Sequence, residues 1–231
     1  MLEAVSAQFG WPDIVAPLFL LLCWGGYAGW AEHHPSSLMA RIHDYRARWM
    51  RRMLARDPRI IDIQVVQILT SNIAFFSSSA VLIVGGCLAV LGAREEAMAV
   101  LQDVPFVVHT PPLLWKLKLG LMILVFVYAF FKFTWAIRQF NYVAIMIGAA
   151  PPPAEAETPD AIAFADRAAR MATASAANFN NAMRAFYFGL AILAWFIQPW
   201  LFILLTAYVV LIVWRREFRS EALGLLPPLA D

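Results

Sequence analysis

The sequence is short of charge and of cysteine, and both shortages narrow the class of protein. Charged residues make up 15% of its 231 positions and hydrophobic residues 61%, against about 25% and roughly 45–50% in an ordinary soluble domain. So few charged groups cannot cover a surface in water, and the composition therefore predicts that lipid surrounds much of the chain. The two cysteines, Cys23 and Cys87, lie inside apolar runs. A thiol there behaves as a small hydrophobe and supports neither a disulfide framework nor a CxxC site.

The sequence also lacks the signatures of enzymes and of cofactor sites. It has no nucleophile elbow, no glycine-rich phosphate loop and no HExxH motif, which are short patterns that carry such chemistry. The four histidines are not spaced so that they could bind one metal ion or a haem together. They are His33, His34, His43 and His109. We therefore predict that the protein is not an enzyme and has no catalytic residue, no metal site and no cofactor.

Asp62 is the only acid near the start of an apolar run, and Arg59 stands three residues before it. The spacing predicts a surface ion pair at a helix terminus. A functional alternative is that Asp62 belongs to a gate or an ion entrance on the cytoplasmic side.

Arginine is concentrated in residues 38–64, which contain seven arginines and no lysine. Apolar positions recur there at helical spacing, at Leu38, Ile42, Tyr45, Trp49 and Met53. The pattern predicts an amphipathic helix over 38–54 with a basic face, which would lie on the cytoplasmic membrane surface and bind anionic lipid head groups. The candidate lipid contacts are Arg41, Arg48, Arg51 and Arg52. The short length and the flanking apolar runs argue against a nucleic-acid partner.

Apolar runs of membrane-spanning length fall at residues 14–30, 63–91 and 113–135. A fourth run, 185–214, is interrupted around Pro199. As one helix it would measure about 44 Å, well beyond the roughly 30 Å hydrocarbon core, so we favour a hairpin of two short helices over one long helix. The sequence thus predicts an all-α, polytopic transmembrane bundle of about five membrane segments in one domain.

The charges between the apolar runs predict an orientation. Residues 92–112 carry one arginine and three acids, in contrast to the arginine-rich stretch, and basic loops stay on the cytoplasmic side. We therefore expect an external amino terminus and a cytoplasmic carboxy terminus. Residues 149–160 are rich in proline, alanine and acid and are predicted to form a flexible cytoplasmic linker.

Polar residues fall on one face of the second apolar run. At 100° per residue, Gln64, Gln67, Ser71 and Ser78 lie within about 60° of one another. Because polar groups in hydrocarbon need partners, this polar stripe is predicted to face protein or water. Two interpretations remain open: the polar stripe packs against another helix, or it lines a pathway.

Lysines stand at both ends of the third apolar run. Lys132 either snorkels to the cytoplasmic surface as an anchor or faces the same pathway as the polar stripe. Lys116 and Lys118, at the other end, are expected to snorkel towards the external surface.

Long motifs in the chain resemble a known family. The segments ARDPRIIDIQVVQILTSNIAFFSSSAVLIVGG, AFFKFTWAIRQFNYVAIMIGAAP and FNNAMRAFYFGLAILAWFIQPW, with the later WRREFRS, are similar to those of the bacterial membrane proteins grouped as the domain of unknown function 599 family. The resemblance covers roughly residues 38–220 and implies a bacterial inner (plasma) membrane protein. It transfers no catalytic or binding residue, because the family has no assigned function.

Two functions fit these features. The first is an oligomeric channel or small-solute transport protein, in which the polar stripe lines the pathway and Lys132 lies near its cytoplasmic mouth. The second is a non-catalytic membrane scaffold or accessory subunit, in which the same residues are contact surfaces. Five short helices enclose little interior by themselves, so the transport hypothesis predicts a homo-oligomer, and the scaffold hypothesis predicts a membrane-protein partner.

Overall fold

The computed structural model describes residues 10–32, 34, 37–102 and 110–227, and within them every regular element is a helix. The α-helices are α1 (Trp11–Glu32), α2 (Leu38–Leu54), α3 (Ile60–Gly92), α4 (Arg94–Gln102), α5 (Pro112–Gly148), α6 (Pro159–Ile192), α7 (Pro199–Phe218) and α8 (Glu221–Leu225). Two short 3₁₀ helices lie at Pro153–Glu155 and Leu193–Phe196. The predicted all-helical class is confirmed. His33 and His109, weighed above as metal or haem ligands, lie outside the described residues.

Two helices, α3 and α5, are long and apolar enough to cross a bilayer, and α1 contains a shorter apolar stretch at Trp11–Tyr27. The apolar runs predicted at 63–91 and 113–135 lie within α3 and α5, whose lengths are 33 and 37 residues. Both helices extend past the apolar runs because hydropathy marks only the part that lipid would cover. The backbone hydrogen bonds of a helix continue through polar residues as well.

The last apolar stretch is divided between two helices. Helix α6 ends at Ile192, a 3₁₀ turn follows, and α7 begins at Pro199. Proline has no backbone N–H and its ring clashes with the preceding turn, so it ends one helix while being well suited to start the next. The structure therefore breaks this stretch where the sequence suggested a break. The helix before the break is not the short one predicted, because α6 continues from the alanine-rich segment and is 34 residues long.

The chain divides into two compact units. Unit one consists of Met1–His33, Ser79–Phe130 and Met183–Trp214, and unit two consists of His34–Ser78, Phe131–Ala182 and Arg215–Asp231. Helices α3, α5, α6 and α7 each contribute residues to both units. Each unit is described by itself below.

Unit one is packed through aromatic rings and one glycine. The Trp195 ring stacks on Phe202 with centroids 5.4 Å apart, and Trp115 meets Phe196 edge to face at 5.1 Å. Gly189 of α6 lies against the Phe126 ring of α5, where an added Cβ would be only 2.8 Å from two ring carbons. Glycine at this position is what lets the backbone of α6 approach α5 so closely.

Unit two is packed through alanines and phenylalanines. One face of α6 is buried at every turn, at Ala161, Ala165, Ala168, Ala172 and Ala176. Small side chains allow neighbouring helices to approach closely. The rings of Phe76, Phe133 and Phe179 form a cluster with centroid separations of 5.9–6.4 Å. Ser175 adds a hydrogen bond of 2.6 Å to the Ala136 carbonyl of α5.

Candidate functional site

All four residues of the polar stripe lie on the exposed face of α3. Gln64, Gln67, Ser71 and Ser78 are exposed, whereas the buried face of the same helix carries Asp62, Val66, Ile73, Ser77, Ala80 and Cys87. The two faces follow from the helical period, because the buried residues are separated by three, four or seven positions. The chain therefore leaves the polar stripe uncovered rather than packing it against its own helices.

Lys132 is half-buried and joins a chain of amide contacts in unit two. Its Nζ donates to Asn178 Oδ1 at 3.1 Å, and Asn178 Nδ2 donates to Gln139 Oε1 at 2.8 Å and to the Ala174 carbonyl at 3.0 Å. These contacts tie α5 to α6. Whether Lys132 also meets a pathway or the membrane surface stays a prediction, as does the role of the polar stripe.

The arginines predicted to contact lipid have different surroundings. Arg51 is paired with Asp166 of α6 at 3.0 Å, and this acid raises the pKa of the Arg51 guanidinium. Arg52 is exposed, and Arg41 and Arg48 are half-buried. Arg46, which the sequence analysis did not select, is buried enough that its pKa is lowered to about 10. Arg51 is thus already engaged by protein, which the sequence could not reveal.

Asp62 does not form the surface pair expected with Arg59. Its side chain is 1% exposed, and it accepts a hydrogen bond of 2.7 Å from the Trp49 indole of α2 and bonds of 2.5 and 3.0 Å from Arg56. A three-residue spacing indicates partners only among neighbours on the same helix. The partners come instead from α2 and from the segment after it, which folds back on the start of α3.

Arg59 instead binds backbone carbonyls. Its guanidinium donates to Ala150 at 2.8 Å, to Ile147 and Leu54 at 3.4 Å each, and to Pro151 at short range. These oxygens belong to the ends of α2 and α5 and to the proline-rich segment that follows α5. Helix ends leave carbonyls without partners, and the five donors of one arginine suit such a cluster. The segment predicted to be a flexible linker is therefore bonded to unit two at its start.

Unit one contains a buried charged cluster that the sequence patterns did not predict. Lys118 is 3% exposed, and its Nζ donates to the Trp195 carbonyl at 2.7 Å. Asp13 Oδ1 lies 3.9 Å from the same nitrogen and accepts a hydrogen bond of 2.8 Å from the Trp195 indole. The expectation that Lys118 snorkels to the surface is wrong, because its partners are inside unit one. Lys116, two residues earlier, is exposed.

The family described as "Protein of unknown function, DUF599" matches residues 14–222 of the chain. The chain belongs to this family. No curated protein and no solved structure was found to match it. Membership agrees with the resemblance noted in the sequence and assigns no reaction, ligand or partner to any residue of this DUF599 protein.

Within the described part of this DUF599 chain, no group of three His, Cys, Asp or Glu side chains lies close enough to hold a metal ion. Local spacing could not have indicated the Lys118 cluster, because its members come from three widely separated segments. The one available signal was an acid in the first turn of an apolar helix, Asp13, which needs a partner if that helix is in lipid.

Proposed function

We propose that this DUF599 protein is a multi-pass protein of the bacterial inner membrane, with five membrane segments, an external amino terminus and a cytoplasmic carboxy terminus. The apolar length of α3 and α5 supports the proposal. The break between α6 and α7 prevents a single helix that would overrun the bilayer, and α7, of 20 residues, is the last proposed segment. The arginines of residues 38–64 set the orientation by the positive-inside rule.

Its function is that of an oligomeric channel or transport protein for small solutes, and the observation that carries this proposal is the exposure of the polar stripe. Gln64 and Gln67 are exposed on a helix long enough to cross a bilayer. Amide groups facing hydrocarbon would lose their hydrogen bonds to water at a cost of several kcal/mol. Water or a second protein surface must therefore cover them, and copies of the chain arranged around a shared path would supply both.

The hydrogen bonding of Lys132 within the chain favours a second candidate function, that of a non-catalytic scaffold or accessory subunit. Its ammonium donates to Asn178, which in turn donates to Gln139. A lysine held in this way connects two helices of one chain and does not require a solute. In a scaffold the polar stripe would form hydrogen bonds with a partner helix, at about 0.6–2 kcal/mol for each interaction.

Anionic lipid is the further partner in this proposal, and α2 is the surface that would bind it. Arg41, Arg48 and Arg52 share one face of that helix by their spacing of seven and four residues. Lipid phosphates near an anionic leaflet attract each such arginine by about 1 kcal/mol. Arg51 contributes less than the sequence suggested, because Asp166 already neutralises it.

Cysteine accessibility together with flux separates the two candidates. Single cysteines replace Gln64, Gln67, Ser71 and Ser78 in turn, in a chain whose native Cys23 and Cys87 have been removed. In a channel they react with hydrophilic thiol reagents, and Gln67→Leu changes ion flux in liposomes while the oligomer stays intact. Ile68→Leu, at an exposed apolar position of α3, is the matched control. Protection of all four cysteines, with no flux above protein-free liposomes, would exclude the channel and leave the scaffold.

A further inference from the structure

Lys118 is a buried charge of unit one that the proposed function leaves unused. Its side chain is 3% exposed, although it stands on α5, one of the two helices long and apolar enough to cross a bilayer. Ionisable side chains are costly at such positions and commonly mark places where ions or protons act. The geometry around Lys118 indicates that the relevant species here is a proton.

The Lys118 ammonium contacts Trp195 and Asp13 in different ways. The bond to the Trp195 carbonyl, at 2.7 Å, is a hydrogen bond to the 3₁₀ turn between α6 and α7. The separation from Asp13 Oδ1 is 3.9 Å, which is beyond hydrogen-bond length. Asp13 is therefore held to Lys118 by charge, while its own hydrogen bond comes from the Trp195 indole.

These two contacts respond differently to the loss of a proton. A neutral amine still has N–H donors, so Lys118 can release one proton to water and keep its hydrogen bond to the Trp195 carbonyl. The charge attraction to Asp13 disappears in the same step. The turn between α6 and α7 thus stays fixed, while the first turn of α1 loses one of its two links to the cluster.

The other groups near Lys118 come from the segment before α5, from α4 and from the α6 to α7 turn. Thr110 Oγ1 lies 3.4 Å from Lys118 Nζ, and Arg94, at the start of α4, donates to the Thr110 carbonyl at 3.4 Å. From the α6 to α7 turn come the Trp195 carbonyl and the rings of Trp195 and Phe196, the rings at 5.4 and 6.0 Å. Among the described residues named here, the charged neighbours of Lys118 are thus one acid, Asp13, and one cation, Arg94. With so few charged neighbours, the charge of Lys118 itself decides whether Asp13 is attracted.

We propose that Lys118 is a proton-binding site whose occupancy determines how firmly the amino-terminal turn of α1 is held. With the proton bound, the ammonium attracts Asp13 and α1 is held through both Lys118 and Trp195. With the proton released to water, only the Trp195 indole holds Asp13. The inference goes beyond the proposed channel or scaffold, because it requires neither a solute nor the polar stripe.

Hydrogen–deuterium exchange of the first turns of α1 tests this proposal on the purified full-length protein in detergent. Exchange is measured between about pH 7 and pH 10 and corrected for the intrinsic pH dependence of amide exchange. The corrected rate is expected to rise about tenfold across this interval, because a charge attraction across 4 Å is lost. The assay is independent of flux, so its failure would leave the channel and scaffold proposals untouched.

Isosteric variants provide the controls. Lys118→Gln keeps an N–H donor for the Trp195 carbonyl but has no exchangeable charge, and should give the high-pH rate at every pH. Asp13→Asn keeps an oxygen for the Trp195 indole and should also be independent of pH, so it serves if Lys118→Gln does not fold. Lys116→Gln, an exposed change on the same helix, should retain the wild-type response. A wild-type rate that is the same at both pH values, or a pH response retained by Lys118→Gln, would overturn the proposal.

Discussion

Single residues decide how closely the helices of unit one approach each other. A pair of adjacent glycines permits close helix contact, yet nothing lies within 4 Å of a Cβ built on Gly85 or Gly86. Gly189 makes the close contact instead, against Phe126 and Val125. A glycine pair in a sequence shows where approach is permitted, whereas the facing side chain determines where it happens.

Gly189→Ala is expected to destabilise the protein by about 1–3 kcal/mol, because the new methyl group would overlap the Phe126 ring and overpack the core. Gly120→Ala is the matched control on α5, since nothing lies within 4 Å of its Cβ. That change should be neutral, or stabilising by up to about 1 kcal/mol through helix propensity. Denaturant unfolding of both variants in the same detergent measures the difference. Equal stabilities would show that α6 shifts to admit the methyl group.

The sequence predicted the surroundings of a residue well where its neighbours along the chain determine them. It predicted them poorly where distant segments supply the contacts. The helical spacing of its residues placed the polar stripe on one face of α3, although this spacing could not show that the face is exposed. Asp62 was assigned to Arg59 because the two are three residues apart, but Trp49 and Arg56 bind it. The position of Lys118 near a helix end predicted that it snorkels to the surface, whereas it contacts Asp13 and Trp195.

At the scale of elements, helix ends in unit two are joined by one side chain. Arg59 bonds carbonyls from the end of α2, from the end of α5 and from the proline-rich segment that follows. Hydropathy located the apolar parts of the helices because lipid or core must cover them. It gave no information on this junction, because backbone carbonyls carry no sequence signal of their own.

Arg59→Gln is expected to lower the free energy of unfolding by about 1–3 kcal/mol, because several carbonyls at the junction lose a charged donor together. Limited proteolysis between Ala150 and Thr158 should accelerate in the same variant, since this segment loses its attachment. Arg52→Gln, at an exposed position of α2, should stay within about 0.5 kcal/mol of the wild type. If Arg59→Gln behaves like Arg52→Gln in both measurements, the junction does not stabilise unit two.

At the scale of the whole molecule, the proposed topology predicts which exposed positions face each side of the membrane. In a cysteine-free background, Glu96→Cys on α4 should react with an impermeant maleimide in intact cells. Glu157→Cys and Glu221→Cys should react only after the membrane is opened, because the arginine-rich side is retained in the cytoplasm. All three glutamates are exposed. Labelling of Glu221→Cys from outside would contradict the five-segment arrangement.

The Lys118 cluster also has a consequence for the order in which the protein is made. Asp13 leaves the ribosome before Lys118, whereas Trp195 follows 77 residues later. At about 5–20 residues per second, the interval is roughly 4–15 s. Throughout that time the ammonium of Lys118 can meet the Asp13 carboxylate and the Thr110 hydroxyl, but not the Trp195 carbonyl. In the proposed topology, Lys118 thus enters the membrane with the charge attraction to α1 already available, before the carbonyl that finally holds it has been synthesised.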